Sequence, residues 1–489
     1  MTRAERYDKG PKFGKTVVSN GSKYQDDFDS ASSLSSVINL LNTIIGTGLL
    51  ATPHVLSQMG ILVGTLVILW SGLTAGFGLY LQARCARYLD RGTSSFFALS
   101  QISYPNASVI FDAAIAIKCF GVGVSYLIII GELMPGIING LFQQTEVIPC
   151  LLDRQFWITA FMLIVIPLSF VRRLDSLKYS SILALLSIGY LVVLILYHFI
   201  QQDMTSERGN IRLFKWAGVV PTLKSFPVIV FAYTCHQNMF SVLNEMRSNT
   251  HRSTSTVIIS SIGVAAFFYI LVAITGYLSF GNEVSGNIVG MYASSIGSSI
   301  GKVAIVILGT FSYPLQVHPC RASVDMILRW RPIHRDRTLN LSDGSPSRSI
   351  PLLANQNRQM ARNDTISELR FAFITFMIII LSYIVAMMVS SLDKVLAYVG
   401  STGSTSISFI LPGLFYYKIS SPDSAYRQRL LKEEDDNSSD SEDENSFTGS
   451  SKSSMWKRCL RKLSLALSIY GIIVMGVCLA INIFSGDLH

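Results

Sequence analysis

Two short polar runs interrupt long apolar stretches of this sequence, and both contain residues that could bind a small charged molecule. The first is Gly46, Thr47 and Gly48, and the second is YTCHQN at 233–238, a few residues after Pro227. Glycine allows a helix to unwind, and unwinding frees amides and carbonyls that carry the partial charges of helix ends. Freed amides attract an anion and freed carbonyls attract a cation. The runs therefore predict a site for a molecule with both charges, such as an amino acid.

The two charges of an amino acid are expected to bind at different runs. Backbone amides from about Gly48 onward would bind the carboxylate, and carbonyls of the second run would bind the ammonium. The second run contains no Arg or Lys for another carboxylate, which favours neutral or aromatic substrates. The predicted substrate-binding residues are Thr43, Gly46, Thr47, Gly48, Ser125, Phe231, Tyr233, Thr234 and Cys235.

Oxygen-bearing side chains near the runs could hold a small cation. One helical face carries polar residues at three- and four-residue spacing, namely Asn39, Asn42, Thr43 and Gly46. Such a face lines a cavity or ion site, or packs against another helix. The hydroxyl-rich run GSTGSTS at 400–406 has the same two interpretations. Apart from such a cation, no cofactor is expected.

Coupling to protons would instead need a titratable group inside a span, and His236 and Glu132 are the candidates. The structural alternative for His236 is a buried, hydrogen-bonded imidazole. Glu132 shares one helical face with Ser125 and Lys118 in a stretch longer than the hydrocarbon, so both charges could instead extend to the membrane margins. Lys118 could otherwise act as a fixed cation in place of a metal ion.

The remaining composition argues against catalysis and against nucleic-acid binding. The sequence contains no nucleophile elbow, no P-loop and no His-x-x-x-His pair, so no enzyme is predicted. Its seven cysteines have no CxxC spacing, which gives no indication of a zinc site or a disulfide framework. The net charge of +9 comes from basic residues scattered between apolar spans rather than from one continuous patch.

These site residues must be positioned by membrane helices. Half of the 489 residues are hydrophobic and only 15% are charged, and a crossing needs about 20 mostly apolar residues. The sequence predicts an all-α membrane protein with eleven transmembrane helices, and the polar runs would break helices 1 and 6. The eleven predicted stretches are 34–55, 61–82, 109–141, 156–171, 179–200, 220–243, 256–280, 296–317, 369–390, 395–417 and 463–484.

The distribution of basic residues predicts the orientation. Most of the 40 Lys and Arg residues fall on one side if alternate loops are assigned to alternate sides. The positive-inside rule then places the N-terminus in the cytosol and the C-terminus in the lumen. The first thirty or so residues lack the apolar core of a signal peptide, so we expect insertion through the spans themselves.

Several segments resemble the amino acid/auxin permease family, especially its fungal vacuolar and animal neutral amino-acid transporters. They are NLLNTIIGTGLLATP at 39–53, GVGVSYLIIIGELMPG at 121–136, FAYTCHQNMFSVLNEM at 231–246, SYPLQVHPCRAS at 312–323 and VGSTGSTSISFILPGLFYY at 399–417. The resemblance implies a leucine-transporter-like fold with two inverted five-helix repeats and alternating access. It also implies that Asn42 and Ser312 stand where sodium-coupled relatives have their Asn and Thr ligands.

The resemblance and the residues together predict a secondary active amino-acid transporter of the vacuolar membrane, coupled to protons. The alternatives are sodium coupling, or an amino-acid-sensing receptor on the same fold. The expected partners are the amino-acid substrate and the lipid bilayer, with no nucleic acid, and the sequence gives no oligomeric state. The predicted organisation is a disordered cytosolic tail at 1–30, repeats at 31–200 and 219–417, a cytosolic loop at 321–368, an acidic serine-rich cytosolic loop at 418–460, and the eleventh helix with the lumenal end at 461–489.

Overall fold

The computed structural model describes residues 32–89, 92–141, 148–171, 178–202, 209–246, 250–293, 295–330, 367–421 and 449–484. Every regular element in these ranges is helical, as the sequence predicts. The predicted tail at 1–30 and the central parts of the two predicted loops lie outside the described residues.

Sixteen α-helices are used below, together with short 3₁₀ turns and two π-helical segments at Gly400–Ser404 and Ser406–Ile410. The helices are α1 Ser33–Ile44, α2 Thr47–Met59, α3 Ile61–Ala86, α4 Phe96–Ser103, α5 Ser108–Leu141, α6 Arg154–Ser169, α7 Lys178–Gln201, α8 Val219–Ala232, α9 His236–Glu245, α10 His251–Phe280, α11 Ile288–Met291, α12 Ile296–Arg329, α13 Glu368–Met388, α14 Leu392–Val399, α15 Leu411–Ile419 and α16 Gly449–Phe484.

The helix lengths are those of a multi-pass membrane protein. Seven of the described helices are long and apolar enough to cross a membrane, or eight if the bent pair α1 and α2 counts as one span. Two of the other predicted stretches are divided between consecutive shorter segments, and 156–171 corresponds largely to the shorter apolar helix α6. The count of eleven crossings therefore stays a prediction.

Helix α5 lies at the centre of the bundle and packs along α12. The π-helical segments reach it through glycine, because a Cβ on Gly403 would stand only 2.8 Å from the backbone nitrogen of Lys118. Most hydroxyls of the run at 400–406 are used locally. For example, Thr405 Oγ1 donates to Gly400 O at 2.7 Å and Ser406 Oγ donates to Thr402 O at 2.8 Å. These bonds use the hydroxyl hydrogens and leave the oxygen lone pairs, so packing and cation binding both stay predictions for the run.

Both predicted loops are shorter than the sequence suggested. Helix α12 continues to Arg329, so 321–329 is helical, because Asp325 pairs with Arg329 at 2.9 Å and with Arg370 of α13 at 2.7 Å. Helix α15 extends to Ile419 and α16 begins at Gly449, so both ends of the predicted loop at 418–460 are helical. In 321–329, Asp325 is thus paired on a helix rather than exposed in a loop.

Candidate functional site

The first polar run separates two helices. Helix α1 ends at Ile44 and α2 begins at Thr47, and their axes differ by 56°. The Ile45 amide still donates to Leu41 O at 2.8 Å, whereas Gly46 starts the next helix by accepting from the Leu49 amide at 3.1 Å. A Cβ on Gly46 would meet no atom within 4 Å. The break therefore leaves open space beside Gly46 and the first amides of α2.

The second polar run also separates two helices. Helix α8 ends at Ala232 and α9 begins at His236. Pro227 lies inside α8, so the chain leaves the helix at the polar residues and not at the proline. Thr234 turns its hydroxyl back onto Val230 O at 2.6 Å, which occupies a carbonyl of the last turn of α8. The carbonyl of Ala232 remains for a partner outside its own helix.

The two breaks touch each other. A Cβ on Gly48 would lie 2.7 Å from the Ala232 Cβ and 2.8 Å from its Cα, so only glycine allows α2 to approach the end of α8 this closely. Across the same junction, Asn238 Nδ2 of α9 donates to Thr43 Oγ1 of α1 at 2.9 Å. Each helix of the first broken pair therefore contacts a helix of the second: α1 contacts α9, and α2 contacts α8.

A single tyrosine hydroxyl joins the breaks at their carbonyl ends. Tyr269 of α10 lies with its hydroxyl oxygen 2.7 Å from Ile44 O and 2.7 Å from Ala232 O, and its side chain is fully buried. A phenol has one hydrogen and can donate fully to only one of them at a time. The ring is also held edge-on against Tyr233, with ring centroids 5.0 Å apart. Two converging carbonyls thus share one donor, an arrangement suited to a cationic group.

A cavity of about 270 Å³, including its open part, adjoins the first break. Gly46, Thr47 and Tyr126 line it together with aliphatic side chains of α2, α5, α7 and α12, namely Leu50, Ile129, Ile188, Leu191, Ile305 and Leu308. Phe231, Tyr233 and Cys235 do not belong to the described lining, so they are not the walls of this cavity. The lining suits an apolar or aromatic side chain.

His236 belongs to a buried polar cluster next to the second break. Its Nδ1 lies 3.2 Å from Ser408 Oγ, which in turn lies 3.1 Å from Thr234 Oγ1. Gln82 Nε2 donates to the backbone oxygen of His236 at 2.8 Å. Lys118 is buried nearby and interacts electrostatically with Cys235 and His236, so it does not extend to the membrane margin.

Glu132 forms a second polar cluster, whose described contacts are not with the breaks. Asn287, which precedes α11, donates through Nδ2 to Glu132 Oε2 at 3.1 Å, and the Arg154 guanidinium interacts with the same carboxylate. Arg154 is itself held by Ala386 O at 2.7 Å and Val389 O at 2.8 Å. These partners lie at helix ends, since Arg154 begins α6, Asn287 precedes α11 and Val389 follows α13, so the membrane-margin alternative for Glu132 stays a prediction.

The residues predicted to bind sodium have unlike surroundings. Asn42 Oδ1 is buried and has no hydrogen-bond partner among the described atoms, which suits an ion ligand. The Ser312 hydroxyl is hydrogen-bonded to Tyr126, a residue of the cavity lining. Ser125 donates to Val122 O of its own helix at 2.8 Å. No described contact joins Asn42 to Ser312, so a shared sodium site stays a prediction.

A family model described as transmembrane amino acid transporter protein matches residues 29–434. The chain belongs to this family. The proteins of this family are described as transporters, which agrees with the prediction that the protein is not an enzyme.

Relatives of two kinds align with most of this chain. Vacuolar amino acid transporter 5 of Schizosaccharomyces pombe is 41% identical over 92% of this chain and 94% of its own length. Vacuolar amino acid transporter 6 of Saccharomyces cerevisiae is 41% identical over 80% of this chain and 90% of its own length. Human sodium-coupled neutral amino acid transporter 7 is 26% identical over 79% of each chain.

The solved structure of MhsT in complex with L-phenylalanine matches this family member with a TM-score of 0.56 at 14% identity, over 93% of this chain and 99% of that one. The match supports the leucine-transporter-like fold implied by the sequence segments.

Sequence reasoning missed three residues of this transporter's candidate site. Tyr269 and Asn238 contact the junction and Tyr126 lines the adjoining cavity, and of the three only Tyr269 lay outside the segments quoted from the sequence. A tyrosine in mid-span is a weak signal on its own, since aromatic residues are common in membrane helices. Its two carbonyl partners come from segments 225 and 37 residues away in sequence.

Proposed function

We propose that this protein is a secondary active amino-acid transporter of the vacuolar membrane and that it works by alternating access. Membership of the transporter family supports amino-acid transport. The vacuolar location is supported by the names of relatives that cover nearly all of the chain. We further propose eleven crossings with a cytosolic N-terminus and a lumenal C-terminus, for which the placement of Lys and Arg is the support.

The observation that carries the proposal is the contact between the two helix breaks, the first of which adjoins a cavity. The first amides of α2 would bind the substrate carboxylate at the open space next to Gly46. The carbonyls of Ile44 and Ala232, which now share the Tyr269 hydroxyl, would accept the α-ammonium. Gly48 has a different role from Gly46, because it is packed against Ala232 and keeps the breaks in contact.

The cavity supports a preference for neutral apolar or aromatic amino acids. Its lining is aliphatic apart from Thr47, Tyr126 and Gly46, and none of the described lining residues is charged. A second carboxylate or ammonium on the substrate would be placed there without a partner, at a cost of several kcal/mol. We therefore infer selection against acidic and basic amino acids by the lining.

Alternating access needs the junction to rearrange while the surrounding helices stay packed. Helices α1 and α9 are linked by Asn238, and α2 and α8 by the Gly48 contact, so each half of one broken pair moves with a half of the other. Tyr269 sits between these two sets and contacts the carbonyl end of each break. Substrate binding at this point would alter both breaks together.

We propose that protons drive transport, with His236 and Glu132 as carriers. His236 contacts the neutral hydroxyl of Ser408 and Glu132 contacts the neutral amide of Asn287. A cation also lies near each group, Lys118 for His236 and Arg154 for Glu132. Sodium coupling is the second candidate, since the buried Asn42 Oδ1 has no described partner and would suit a sodium ion as co-substrate.

Uptake into proteoliposomes with an imposed ion gradient tests the function and the coupling ion together. A radiolabelled neutral or aromatic amino acid should accumulate under a pH gradient without sodium, and a protonophore should abolish the accumulation. Liposomes without protein provide the background. Uptake that needs a sodium gradient and ignores the protonophore would establish the second candidate. No uptake of any neutral amino acid under either gradient would contradict transport.

A further inference from the structure

A second cavity lies away from the helix breaks, where two long helices end and begin. It occupies about 260 Å³, including its open part, between the C-terminal end of α3 and the start of α10. The polar part of its lining consists of Arg84 and Arg87 from α3 with His251, Thr254 and Ser255 from α10. None of the described lining residues is acidic. Two helices thus direct basic and hydroxyl groups into one cavity.

The basic groups are gathered although they repel one another. His251 interacts electrostatically with both Arg84 and Arg87, and its ring lies 5.5 Å from that of Tyr80. Arg84 is fixed by a hydrogen bond with Tyr416 and lies over Tyr80, 6.0 Å from the ring centroid. The positive end of the α10 dipole lies at the same place. Such a concentration of positive charge favours an anion that accepts several hydrogen bonds.

The cavity continues into an exposed apolar surface. On α10, Ser255 of the cavity is followed one turn later by Ile259, whose side chain is 71% exposed. On α3, Tyr80 of the cavity follows Leu73, which is 70% exposed, by two turns on the same face. Phe77 stacks on Tyr80 between them, with ring centroids 6.5 Å apart. An anion bound here could therefore carry acyl chains that run along this surface.

We propose that this cavity binds an anionic phospholipid whose head group carries a phosphate monoester. The guanidinium of Arg87 would make a paired, charge-assisted contact with the phosphate oxygens, because planar Arg matches phosphate geometry. Arg84, His251 and the hydroxyls of Thr254 and Ser255 complete the set of groups around it. The apolar continuation selects a lipid over a soluble phosphate, since acyl chains would cover Leu73 and Ile259. The inference does not depend on the proposed transport activity.

The test measures lipid retention by the full chain in nanodiscs of phosphatidylcholine. Phosphatidylinositol monophosphate is added at a low mole fraction, with phosphatidylserine as an anionic lipid without a monoester and inorganic phosphate as the soluble source. The variant is Arg87→Gln, because Arg87 is exposed and its loss should not disturb the fold. The matched control is Arg252→Gln, which removes the same charge from an exposed neighbour of His251 outside the cavity lining.

The expected result is preferential binding of the phosphoinositide, weakened roughly tenfold by Arg87→Gln and little changed by Arg252→Gln. Thermal melting without added lipid checks that both variants are folded. Equal losses in the two variants, or equal binding of phosphatidylserine, would show only general surface attraction and overturn the proposal. Inorganic phosphate that binds as tightly as the lipid would also overturn it, in favour of a soluble anion.

Discussion

Replacing Tyr269 with phenylalanine tests the junction of the two breaks. The substitution keeps the ring and its edge-on contact with Tyr233, so it creates no large cavity. It removes only the hydroxyl that lies 2.7 Å from both Ile44 O and Ala232 O. Since Tyr269 is fully buried, water does not readily replace the lost donor. The perturbation is therefore confined to the two carbonyls that the proposal assigns to the substrate ammonium.

The expected magnitude follows from the number of hydrogens lost. One hydroxyl hydrogen serves two carbonyls, so one buried acceptor loses its donor, at a cost of about 1–3 kcal/mol. This cost corresponds to roughly 5- to 150-fold in an equilibrium constant. Because the substrate ammonium would donate to these carbonyls, binding restores the lost hydrogen, so the cost falls on the substrate-free state and the apparent affinity rises by up to the same factor. We expect the KM for uptake to fall within this range while the maximal rate changes less.

The assay is initial uptake in proteoliposomes over a range of substrate concentrations, with the amount of inserted protein measured in parallel. Tyr190→Phe is the matched control, because Tyr190 donates to Gly297 O at 2.9 Å between α7 and α12, away from both breaks. A Tyr269→Phe protein with the wild-type KM would refute the role of the hydroxyl. A similar KM decrease in the Tyr190→Phe protein would show that the effect is not specific to the junction.

Three further predictions concern the glycines, the coupling groups and the topology. Gly46→Ala should fold normally and raise KM modestly, whereas Gly48→Ala should lower the melting temperature and uptake, because its methyl would overlap Ala232; equal melting temperatures would contradict this difference. His236→Gln or Glu132→Gln should flatten the dependence of uptake on lumenal pH, since glutamine cannot carry a proton, and two unchanged pH profiles would exclude both as carriers. Tags at the two termini should differ in protease protection in sealed vacuoles, and the same protection at both ends would contradict an odd number of crossings.

The resemblance and the apolar pattern anticipated much of the fold because both depend on short segments. Each predicted apolar stretch falls on a described helix or on consecutive helical segments. Local charge patterns were less informative. Residues 321–329 contain charges that suggested a loop, but Asp325 finds partners both one turn away and on α13, which keeps the helix intact. Pairing with a distant helix could not be derived from local composition.

By itself, the sequence determined where the chain leaves helical geometry and which stretches are apolar enough for membrane helices. These properties depend on residues within a turn or two, such as the glycines at 46 and 48. Only the tertiary structure decided that Gly46 opens to a cavity while Gly48 packs on Ala232, and that Tyr269 reaches both breaks. The physical reason is that such contacts depend on how whole helices pack, which joins residues far apart in sequence.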